Sequence, residues 1–554
     1  MRVLLINPPL TDPFQIPLGM PTLAAYLKAN GVAVTQRDMS LEFIDFAVHK
    51  TAAEQSWDPD QVRKTLQSGS FYNMRLNHLA CLWLFEILAL YFRGFDMDIG
   101  TPPEFDPSFA RLCIQSEKAL LHLVDDEQRN PFRDFFESRL PPIVKKLSPS
   151  LIGISISYEW QMIPALTIAG ILRTHGARGR ICIGGPYITY ARNRLLNHPG
   201  IVAAADAYVV FGGELPTLEL LRRPRKQDLH QIPNLLYAVG NEVRSTAPST
   251  PLPADSAPVP LFAPSALKFC LLPEPVLPIV AAHSACPYGQ CAFCSTRHAY
   301  LGRGNPKSIE QLFNEIVDLH RRHGCKHFTF NDDCVPLETI IHLSHLLIAA
   351  KKHYRFFAAI RSSETIQEED LHLMKRAGFF RLQFGFESAT DRMLKRFAKG
   401  RSHADMLRIL QLSRRAGISV LLSAFVGFPG ERMAEARATI HFFNSQNHLF
   451  DAASIVPYSF EEGSMAWNHP DRYGISPIAG SKHDLFHDRA YVTRSGVSRE
   501  SVLRLLGKQP IRSRYEPVLG TAASLLYLSK YGYSSFMNMI LKVRKKGSPL
   551  HPQW

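Results

Sequence analysis

Long hydrophobic runs are scarce in this sequence of 554 residues. The longest apolar stretch, Ala80–Phe92, is shorter than the roughly 20 residues that a membrane-spanning helix needs, and it contains Glu86. The chain begins MRVLLINPP, so one arginine precedes only four apolar residues before two prolines, unlike a secretory signal. We therefore predict no membrane span and a cytoplasmic protein.

Basic residues are not gathered into long runs either, although the net charge is +14 and the isoelectric point is about 9.3. The longest basic stretch is Lys542–Lys546 (KVRKK). A positive charge would suit nucleic acid, an anionic membrane or an anionic substrate as a partner. Because no long basic run is present, we interpret the charge as a solvated surface and do not expect nucleic acid as a partner.

No regular disulfide pattern is present among the nine cysteines. Three of them form one short motif, Cys286-Pro-Tyr-Gly-Gln-Cys291-Ala-Phe-Cys294, with the spacing C-x4-C-x2-C. A reducing compartment disfavours disulfides, so this clustering indicates a metal site. The others are predicted to be small buried hydrophobic side chains, and Cys334 is set apart because it follows Asp332-Asp333 at a predicted strand end. These six are Cys81, Cys113, Cys182, Cys270, Cys325 and Cys334.

What the sequence does contain is strand–helix alternation, in two series. The first series, residues 1–243, predicts a Rossmann-like, doubly wound parallel sheet of the α/β class that is interrupted at about residues 41–148 by a helical insertion. A hairpin at Leu236–Val243, with Gly240-Asn241 at its turn, is expected to close this domain. Residues 244–265 contain six prolines and are predicted to be a stiff linker.

The second series, residues 266–475, has six strand–helix units. This number predicts an open (β/α)6 partial TIM barrel, with its site at the carboxyl ends of the strands. Its first helix is predicted to begin at Ser308, with Gln311 completing a capping box. Residues 476–554 form a mixed C-terminal extension in which Leu519–Val543 has helical character.

The cysteine motif directly follows the first barrel strand, predicted at Val276–His283, so it lies on a loop at the active edge of the sheet. Three thiolates on one loop suit a [4Fe–4S] cluster and leave one iron open to a small molecule. A zinc site needs a fourth ligand, which His298 could supply. Spacing alone leaves both alternatives open.

Several motifs occur in one order along the barrel. They are the cysteine loop with Phe293, Gly385-Phe-Glu-Ser388, Lys399-Gly400 and Gly427-Phe-Pro-Gly-Glu431. Together with the six-unit barrel they resemble the radical S-adenosylmethionine superfamily, and specifically its subgroup with an N-terminal cobalamin-binding domain. The resemblance covers about residues 1–475. One departure is the extra residue in the cysteine spacing, since C-x3-C-x2-C is the common form.

The resemblance implies roles for the residues that match. Cys286, Cys291 and Cys294 would hold the cluster, whose open iron chelates the amino and carboxylate groups of S-adenosylmethionine; reduction then yields methionine and a 5′-deoxyadenosyl radical. Further contacts to S-adenosylmethionine are expected from strand-end residues and from the cysteine loop. They are Glu387, Asp332, Arg361 and Ser423 at the strands, and Phe293 beside the adenine. A structural salt bridge is the alternative for Glu387.

The resemblance extends to small residues at strand ends of the first domain, which would let a flat ligand approach the backbone. They are Ser155, Gly184, Gly185 and Gly212, with Pro17-Leu-Gly19 after the first strand. Glu214, which ends the Gly212-Gly213-Glu214 motif, is a further candidate. The Asp-x-His-x-x-Gly loop that ligates cobalt elsewhere is missing, since Asp38-Met-Ser-Leu-Glu-Phe43 has no histidine. Cobalamin is therefore expected without a histidine ligand, and a domain that serves only as a scaffold stays open.

These features predict a cobalamin-dependent radical methyltransferase that acts on an unactivated carbon of a small molecule or peptide. The alternative is a radical cyclase, oxidase or rearranging enzyme that transfers no methyl group. An iron–sulfur protein that binds RNA is a remote third reading, motivated by the charge alone. A reducing partner such as flavodoxin or ferredoxin is expected, because the cluster must receive an electron.

Overall fold

The protein is described from a computed structural model. It describes residues 1–55, 58–72, 74–95, 97, 116–282, 286–299, 306–363, 365–477, 485 and 491–508. Four features named above lie outside these ranges: Cys113, His283, the helical stretch Leu519–Val543 and the basic stretch Lys542–Lys546. Within the described residues, no helix is long and apolar enough to cross a membrane.

The first domain contains a seven-stranded sheet with the order β2-β1-β3-β4-β5-β6-β7. The first five strands are parallel, and the predicted hairpin adds β6 and β7 as antiparallel strands at one edge. The strands are β1 Arg2–Asn7, β2 Ala33–Asp38, β3 Leu151–Ser155, β4 Arg180–Gly184, β5 Ala207–Val209, β6 Leu235–Val239 and β7 Glu242–Ser245.

Helices cover both faces of this sheet, because successive strand residues point to opposite sides. Val3 and Leu5 of β1 belong to the core beneath α1 and α10, whereas Leu4 and Ile6 belong to the core on the other face. The described part of the insertion is helical, as predicted, and spans α2 to α6. The helices are α1 Gly19–Ala29, α2 Met39–Gln55, α3 Asp60–Leu66, α4 Met74–Arg93, α5 Glu117–Asp125, α6 Arg133–Leu147, α7 Met162–Thr174, α8 Pro186–Leu195, α9 Pro199–Ala203 and α10 Glu214–Arg222.

The second domain contains six parallel strands in the order β13-β12-β11-β10-β9-β8, which is the open arrangement predicted for a partial barrel. Neighbours in sequence are neighbours in space, so every connection is a strand–helix–strand unit. The strands are β8 Val276–Ile279, β9 His327–Phe330, β10 Arg355–Ala359, β11 Phe379–Glu387, β12 Ser419–Val426 and β13 Ala452–Pro457.

The barrel helices alternate with these strands, and short elements follow the last strand. An antiparallel pair, β14 Ile475–Pro477 and β15 Tyr491–Thr493, lies in the C-terminal part. The helices are α11 Pro264–Phe269, α12 Thr296–Ala299, α13 Ile309–His323, α14 Leu337–Ala349, α15 Glu368–Ala377, α16 Asp391–Arg396, α17 His403–Arg415, α18 Met433–Ser445, α19 Met465–Asn468, α20 Pro470–Tyr473 and α21 Arg499–Lys508.

The start of α13 differs from the predicted capping box. Ser308 does cap the helix, since its hydroxyl accepts the N–H of Gln311 at 3.3 Å. The Gln311 amide instead donates to the carbonyls of Ala254 and Ala257 in the proline-rich segment. Asp255 of that segment accepts the Ser308 N–H at 2.7 Å. The linker is therefore attached to the barrel.

A buried ion pair joins the two domains. Arg194 of α8 donates its Nε to Oε2 of Glu462 at 2.8 Å, and only 4% and 8% of the two side chains are exposed. Asn193 donates to the other carboxylate oxygen at 3.0 Å. Burial opposes ionisation of Glu462, but the hydrogen bond and charge of Arg194 outweigh it, so the pKa of this carboxyl is lowered. The pair fixes α8 against the segment that follows β13.

The Gly427–Glu431 motif closes the loop after β12. The fully buried Glu431 carboxylate accepts the N–H of Gly427, while its Oε1 atom has no hydrogen-bond partner among the described residues. Burial raises the pKa of Glu431 to about 7, although the Gly427 N–H acts in the opposite direction. The motif therefore has a structural role in shaping the end of β12.

We expect Arg194→Met to lower the urea concentration at which the domains unfold, because Glu462 would remain buried without its cation. Breaking a buried pair from one side typically costs about 3–5 kcal/mol. The matched control is Arg222→Met, since Arg222 forms an exposed pair with Glu219 and exposed pairs contribute about 1 kcal/mol or less. Equal unfolding midpoints for the two variants would contradict this assignment.

We expect the stability of the wild-type protein to fall relative to Glu431→Gln as the pH rises from about 5 to about 8. The folded pKa of about 7 lies above the ordinary 4.5, so the folded state holds a proton that the unfolded chain has released. The linked loss is about 3 kcal/mol, complete above the folded pKa. Urea titrations at several pH values measure the difference.

The control for this titration is Glu219→Gln. Hydrogen bonds from Arg223 and Arg222 lower the pKa of Glu219, so this carboxyl is ionised across the same pH range. Its effect on stability should therefore be independent of pH. If the difference in unfolding free energy between the wild type and Glu431→Gln also did not change with pH, Glu431 would be ionised in the folded protein.

Candidate active site

The cysteine loop is held at the carboxyl edge of the barrel by main-chain hydrogen bonds. The Ala292 N–H donates to the carbonyl of Phe397 at 2.8 Å, and the Ala292 carbonyl accepts the N–H of Ala466 at 2.9 Å. Gly289 adopts φ +53°, and a side chain there would overlap the guanidinium of Arg297. The main-chain hydrogen bonds and this close approach therefore fix the backbone of the loop.

The three motif thiols have unequal environments. Contact with the Cys334 thiol, N–H groups of Gly289 and Tyr288 and the charge of Lys399 lower the pKa of Cys286 to about 5, although burial opposes them. Burial raises the pKa of Cys291 to about 11, and it also raises that of Cys294, whose sulfur lies 3.0 Å from the Thr296 hydroxyl.

This donor set fits an iron–sulfur cluster. Thiolates are the ligands that such clusters use, and a nearby cation and N–H donors offset their charge. Within the described residues, no three ligating side chains surround a single metal ion. The zinc alternative invoked His298, but its Nδ1 atom lies 3.1 Å from the Arg192 guanidinium, in the contact between the domains. The surroundings of Cys286, Cys291 and Cys294 therefore fit an iron–sulfur cluster better than a zinc ion.

Glu387 lies at the end of β11, where a bulge shifts the register against β12. Its backbone has φ +66°, a left-handed conformation that is unfavourable for a residue with a side chain. Its carboxylate accepts the Lys399 ammonium at 2.5 Å. A side chain at Gly385 would collide with both groups, so the glycine of this motif leaves room for the pair.

The salt-bridge alternative for Glu387 is thus present in the structure, and its partner belongs to the Lys399-Gly400 motif. Lys399 also lies 5.6 Å from the centre of the Phe293 ring and lowers the pKa of Cys286. One ammonium group therefore serves the thiols and the carboxylate. No role is predicted for Lys399 from the sequence, where only the order of the motifs marks this residue.

Phe293 packs against other rings of the barrel. Its centroid is 4.6 Å from that of Phe425 and 5.8 Å from that of Phe397, both in edge-on arrangements. Arg361 lies over the Tyr288 ring at 3.9 Å and donates to the carbonyl of Lys399 at 2.8 Å. Both residues therefore pack in the wall of the site. Arg361 has this structural role in addition to the contact with S-adenosylmethionine that is expected of it.

Asp332 differs from its expected role. Its two carboxylate oxygens accept the N–H groups of Ala281 and Ala282, both at 2.8 Å, and so tie β9 to the end of β8. Burial raises its pKa to about 6. Among the described residues, the neighbouring Asp333 forms no hydrogen bond or ion pair, and the charge of Cys286 adds to burial in raising its pKa. At this strand end Asp333 is therefore the more exposed of the two carboxylates.

A cavity of about 300 Å³ opens on the concave face of the barrel. Thr329 of β9, and Asn331 and Asp333 just after that strand, contribute polar groups to its lining. Gln383 of β11 contributes another, and the cavity extends to Gln15 of the first domain. Gln383 alternates with apolar residues along β11, which is a signal that the sequence analysis did not use. Ser423 is partly exposed and pairs in register with Gly385, one strand beyond the cavity.

The first domain turns the same edge of its sheet toward the barrel. Gln15 follows β1, and Arg192 of α8, the helix after β4, donates to the carbonyl of His298 at 2.9 Å. The loops at the carboxyl ends of both sheets therefore face each other. A ligand held on one edge would lie close to a ligand held on the other.

The strand-end residues of the first domain divide into two groups. Gly185 has φ +109° and lies so close to Ile156 that a side chain would overlap its backbone, so a tight turn explains this glycine. Gly184 packs against Val209 in the same way, less closely. Ser155, Gly212 and Glu214 form the second group, at the open ends of β3 and β5.

Glu214 begins α10, and its carboxylate accepts its own N–H and that of Gly213. Burial outweighs these bonds and raises its pKa. A side chain at Gly213 would meet nothing within 4 Å. The edge thus offers an open backbone surface, which suits the close approach of a flat ligand.

Residues 282–443 match the family model described as the radical SAM superfamily. An uncharacterised methyltransferase of Pyrococcus horikoshii is 27% identical over 341 residues, which are 61% of this chain and 72% of that protein. Cytidylyl-2-hydroxyethylphosphonate methyltransferase of Streptomyces wedmorensis is 24% identical over 228 residues, 39% of this chain and 42% of that one.

Solved structures match the whole chain. The radical S-adenosylmethionine methyltransferase TsrM from Kitasatospora setae, solved with cobalamin and a [4Fe–4S] cluster bound, aligns with a TM-score of 0.62 and 13% identity over 99% of both chains. The cobalamin-dependent enzyme OxsB aligns with a TM-score of 0.59 and 15% identity over 98% of this chain and 75% of its own.

At such identities the structural likeness establishes the fold, and the family match covers the barrel that carries the three thiols. The chain is therefore an enzyme that carries a radical S-adenosylmethionine domain at residues 282–443, and its overall fold is that of TsrM and OxsB.

Proposed function

We propose that this enzyme is a cobalamin-dependent radical methyltransferase acting on an unactivated carbon of a small molecule or peptide. The observation that carries the proposal is the opposition of the two sheet edges, one with the three-thiol loop and one with an open backbone surface. The resemblance to TsrM over 99% of the chain, and to two relatives named as methyltransferases, supports it.

Cys286, Cys291 and Cys294 would hold the [4Fe–4S] cluster, which when bound supplies the electron that cleaves S-adenosylmethionine. Lys399 balances the negative charge of the thiolates and orients Glu387. Ala292 keeps the loop against the barrel through its two main-chain hydrogen bonds. These residues fix the loop and its charge before a ligand arrives.

Glu387 and Asp333 are the carboxylates that we propose for S-adenosylmethionine. We propose Asp333 as the acceptor for the ammonium because it is the more exposed of the two carboxylates in the cavity, and each oxygen of Asp332 already accepts one backbone N–H. Phe293 stands at the cysteine loop beside Lys399, where it would flank the adenine. We also propose that Arg361 and Ser423 contact S-adenosylmethionine.

Ser155, Gly212 and Glu214 would line the cobalamin, with Gly184 and Gly185 shaping the backbone beneath it. Cobalamin, when bound, supplies the methyl group. The described chain offers no histidine in the loop after β2, where other cobalamin proteins carry one. We therefore propose that the cobalt receives no histidine ligand from this segment.

The cavity beneath Asp333 is the proposed substrate site. Its amide and hydroxyl groups from Gln15, Asn331, Thr329 and Gln383 both donate and accept hydrogen bonds. They suit a polar group of the substrate better than a purely apolar one. Phe330 and Phe357 add apolar walls that would keep water from the radical.

A radical cyclase, oxidase or rearranging enzyme is the second candidate. The relative named anaerobic magnesium-protoporphyrin IX monomethyl ester cyclase, from Synechocystis, is 26% identical over 27% of this chain and favours it. The mass of the product separates the two, since only methyl transfer adds a methyl group.

An external electron donor of the flavodoxin or ferredoxin class is proposed as a partner. The described cysteines are all free thiols, as a reducing compartment requires. We propose the cytoplasm as that compartment.

We expect protein purified without oxygen, from cells supplied with cobalamin, to contain about four irons and about one cobalamin per chain. Iron analysis and the visible spectrum of cobalamin measure this. A triple Cys286→Ala, Cys291→Ala, Cys294→Ala variant should lose the iron and keep the cobalamin. Iron without cobalamin in the wild-type protein would reject methyl transfer and leave the second candidate.

We expect Glu387→Gln to weaken the binding of S-adenosylmethionine, measured by anaerobic equilibrium dialysis, by about tenfold, because a charge-assisted hydrogen bond is lost. The iron content should not change. The control is Glu369→Gln, at an exposed position in the first turn of α15. An unchanged dissociation constant would mean that Glu387 serves only its ion pair with Lys399.

A further inference from the structure

The cysteines that the structure describes fall into two equal groups. Four are buried, as expected for small hydrophobic side chains, and four are partly exposed. Three of the partly exposed thiols belong to the motif, and the fourth is Cys334. Its position after Asp332-Asp333 sets Cys334 apart in the sequence, where no role is predicted for it.

Cys334 lies in the loop after β9, and this loop is fixed in place. The N–H of Val335 donates to the carbonyl of Ala359 in β10 at 2.8 Å. The Cys334 sulfur contacts the Cys286 thiol and accepts the N–H of Arg361. It therefore faces the cysteine loop from another strand end.

The surroundings of Cys334 match those of the motif thiols. Lys399 acts electrostatically on Cys286, Cys291 and Cys334. Cys325, which precedes the same strand, instead lies against the carbonyls of Pro275 and His327 and is buried. A cysteine that lies near a cation, N–H donors and other thiols is suited to be a metal ligand, whereas a cysteine buried among apolar groups is not.

A [4Fe–4S] cluster is held by four thiolates where all four are available. The motif supplies three of them, and the fold brings one more. We propose that the thiolate of Cys334 is the fourth protein ligand of the cluster while no S-adenosylmethionine is bound. This inference rests on the proposed function, because it requires the cluster.

Cys334 would then give way to S-adenosylmethionine by ligand exchange. The bond between iron and the Cys334 sulfur breaks, and bonds from iron to the amino nitrogen and a carboxylate oxygen form. The sulfur takes the proton that the ammonium group must lose before its nitrogen can bind. No electron is transferred, so the exchange leaves the oxidation state unchanged.

This arrangement would protect the enzyme between turnovers. An iron with only three thiolates around its cluster is the one that oxidants remove, leaving a [3Fe–4S] form. With Cys334 attached, that iron is retained until the cosubstrate arrives. Asp333, the adjacent residue, would guide the ammonium toward the same iron.

The test uses the full-length protein, reconstituted without oxygen, as wild type and as Cys334→Ala. Each is oxidised with ferricyanide in the absence of S-adenosylmethionine, and the [3Fe–4S] signal is measured by electron paramagnetic resonance. We expect the variant to give a several-fold larger signal. We also expect it to bind S-adenosylmethionine about tenfold more tightly, because no thiolate must be displaced.

The control is Cys325→Ala, which removes a thiol near the same strand without touching the cluster loop. It should behave as wild type in both measurements. Equal signals and equal affinities for Cys334→Ala and wild type would overturn the proposal while leaving the cluster in place. A wild-type protein without iron would instead reject the proposed function itself.

A second measurement needs no variant. Mössbauer spectra of the iron-57-labelled wild type should contain no distinct iron site until S-adenosylmethionine is added. A distinct site before that addition would overturn the proposal, even if Cys334→Ala failed to take up iron.

Discussion

The geometry of the site depends on the buried ion pair between Arg194 and Glu462. A continuous hydrophobic core joins the barrel to the face of the first sheet that carries Leu4 and Ile6, but apolar contacts alone have little directionality. The ion pair, together with the Arg192 contact to His298, fixes α8 against the barrel. Because an unpaired charge there would be costly, the two domains are held in one arrangement. The opposed edges that could bring two cofactors together follow from that arrangement.

Within the barrel, Lys399 organises the charges. Its ammonium group neutralises the Glu387 carboxylate and lowers the pKa of Cys286, although these residues lie far apart in the chain. The bulge and left-handed backbone at Glu387 are needed to aim the carboxylate at this cation. The ion pair between Glu387 and Lys399 thus depends on the strained backbone at Glu387 and on the space that Gly385 leaves.

Some motif residues support the chemistry without touching it. Asp332 ties two strands together, Glu431 closes the loop after β12, and Gly185 permits a tight turn. Asp333, which adjoins Asp332, and Gly213, at the next strand end after Gly185, are left more open. A motif therefore marks a place in the fold more reliably than it marks the individual contact residue, since adjacent side chains point in different directions.

The sequence by itself determined the two α/β domains, the six-unit open barrel and the position of the cysteine loop. It could do so because strand–helix alternation and parallel connections leave few topologies, and strand ends must meet at one edge. Only the tertiary structure decided which carboxylate is open, that Lys399 serves both thiols and Glu387, and that Cys334 meets Cys286. These contacts join separate strand ends, and their side-chain directions depend on bulges, packing and buried charge that no local pattern records.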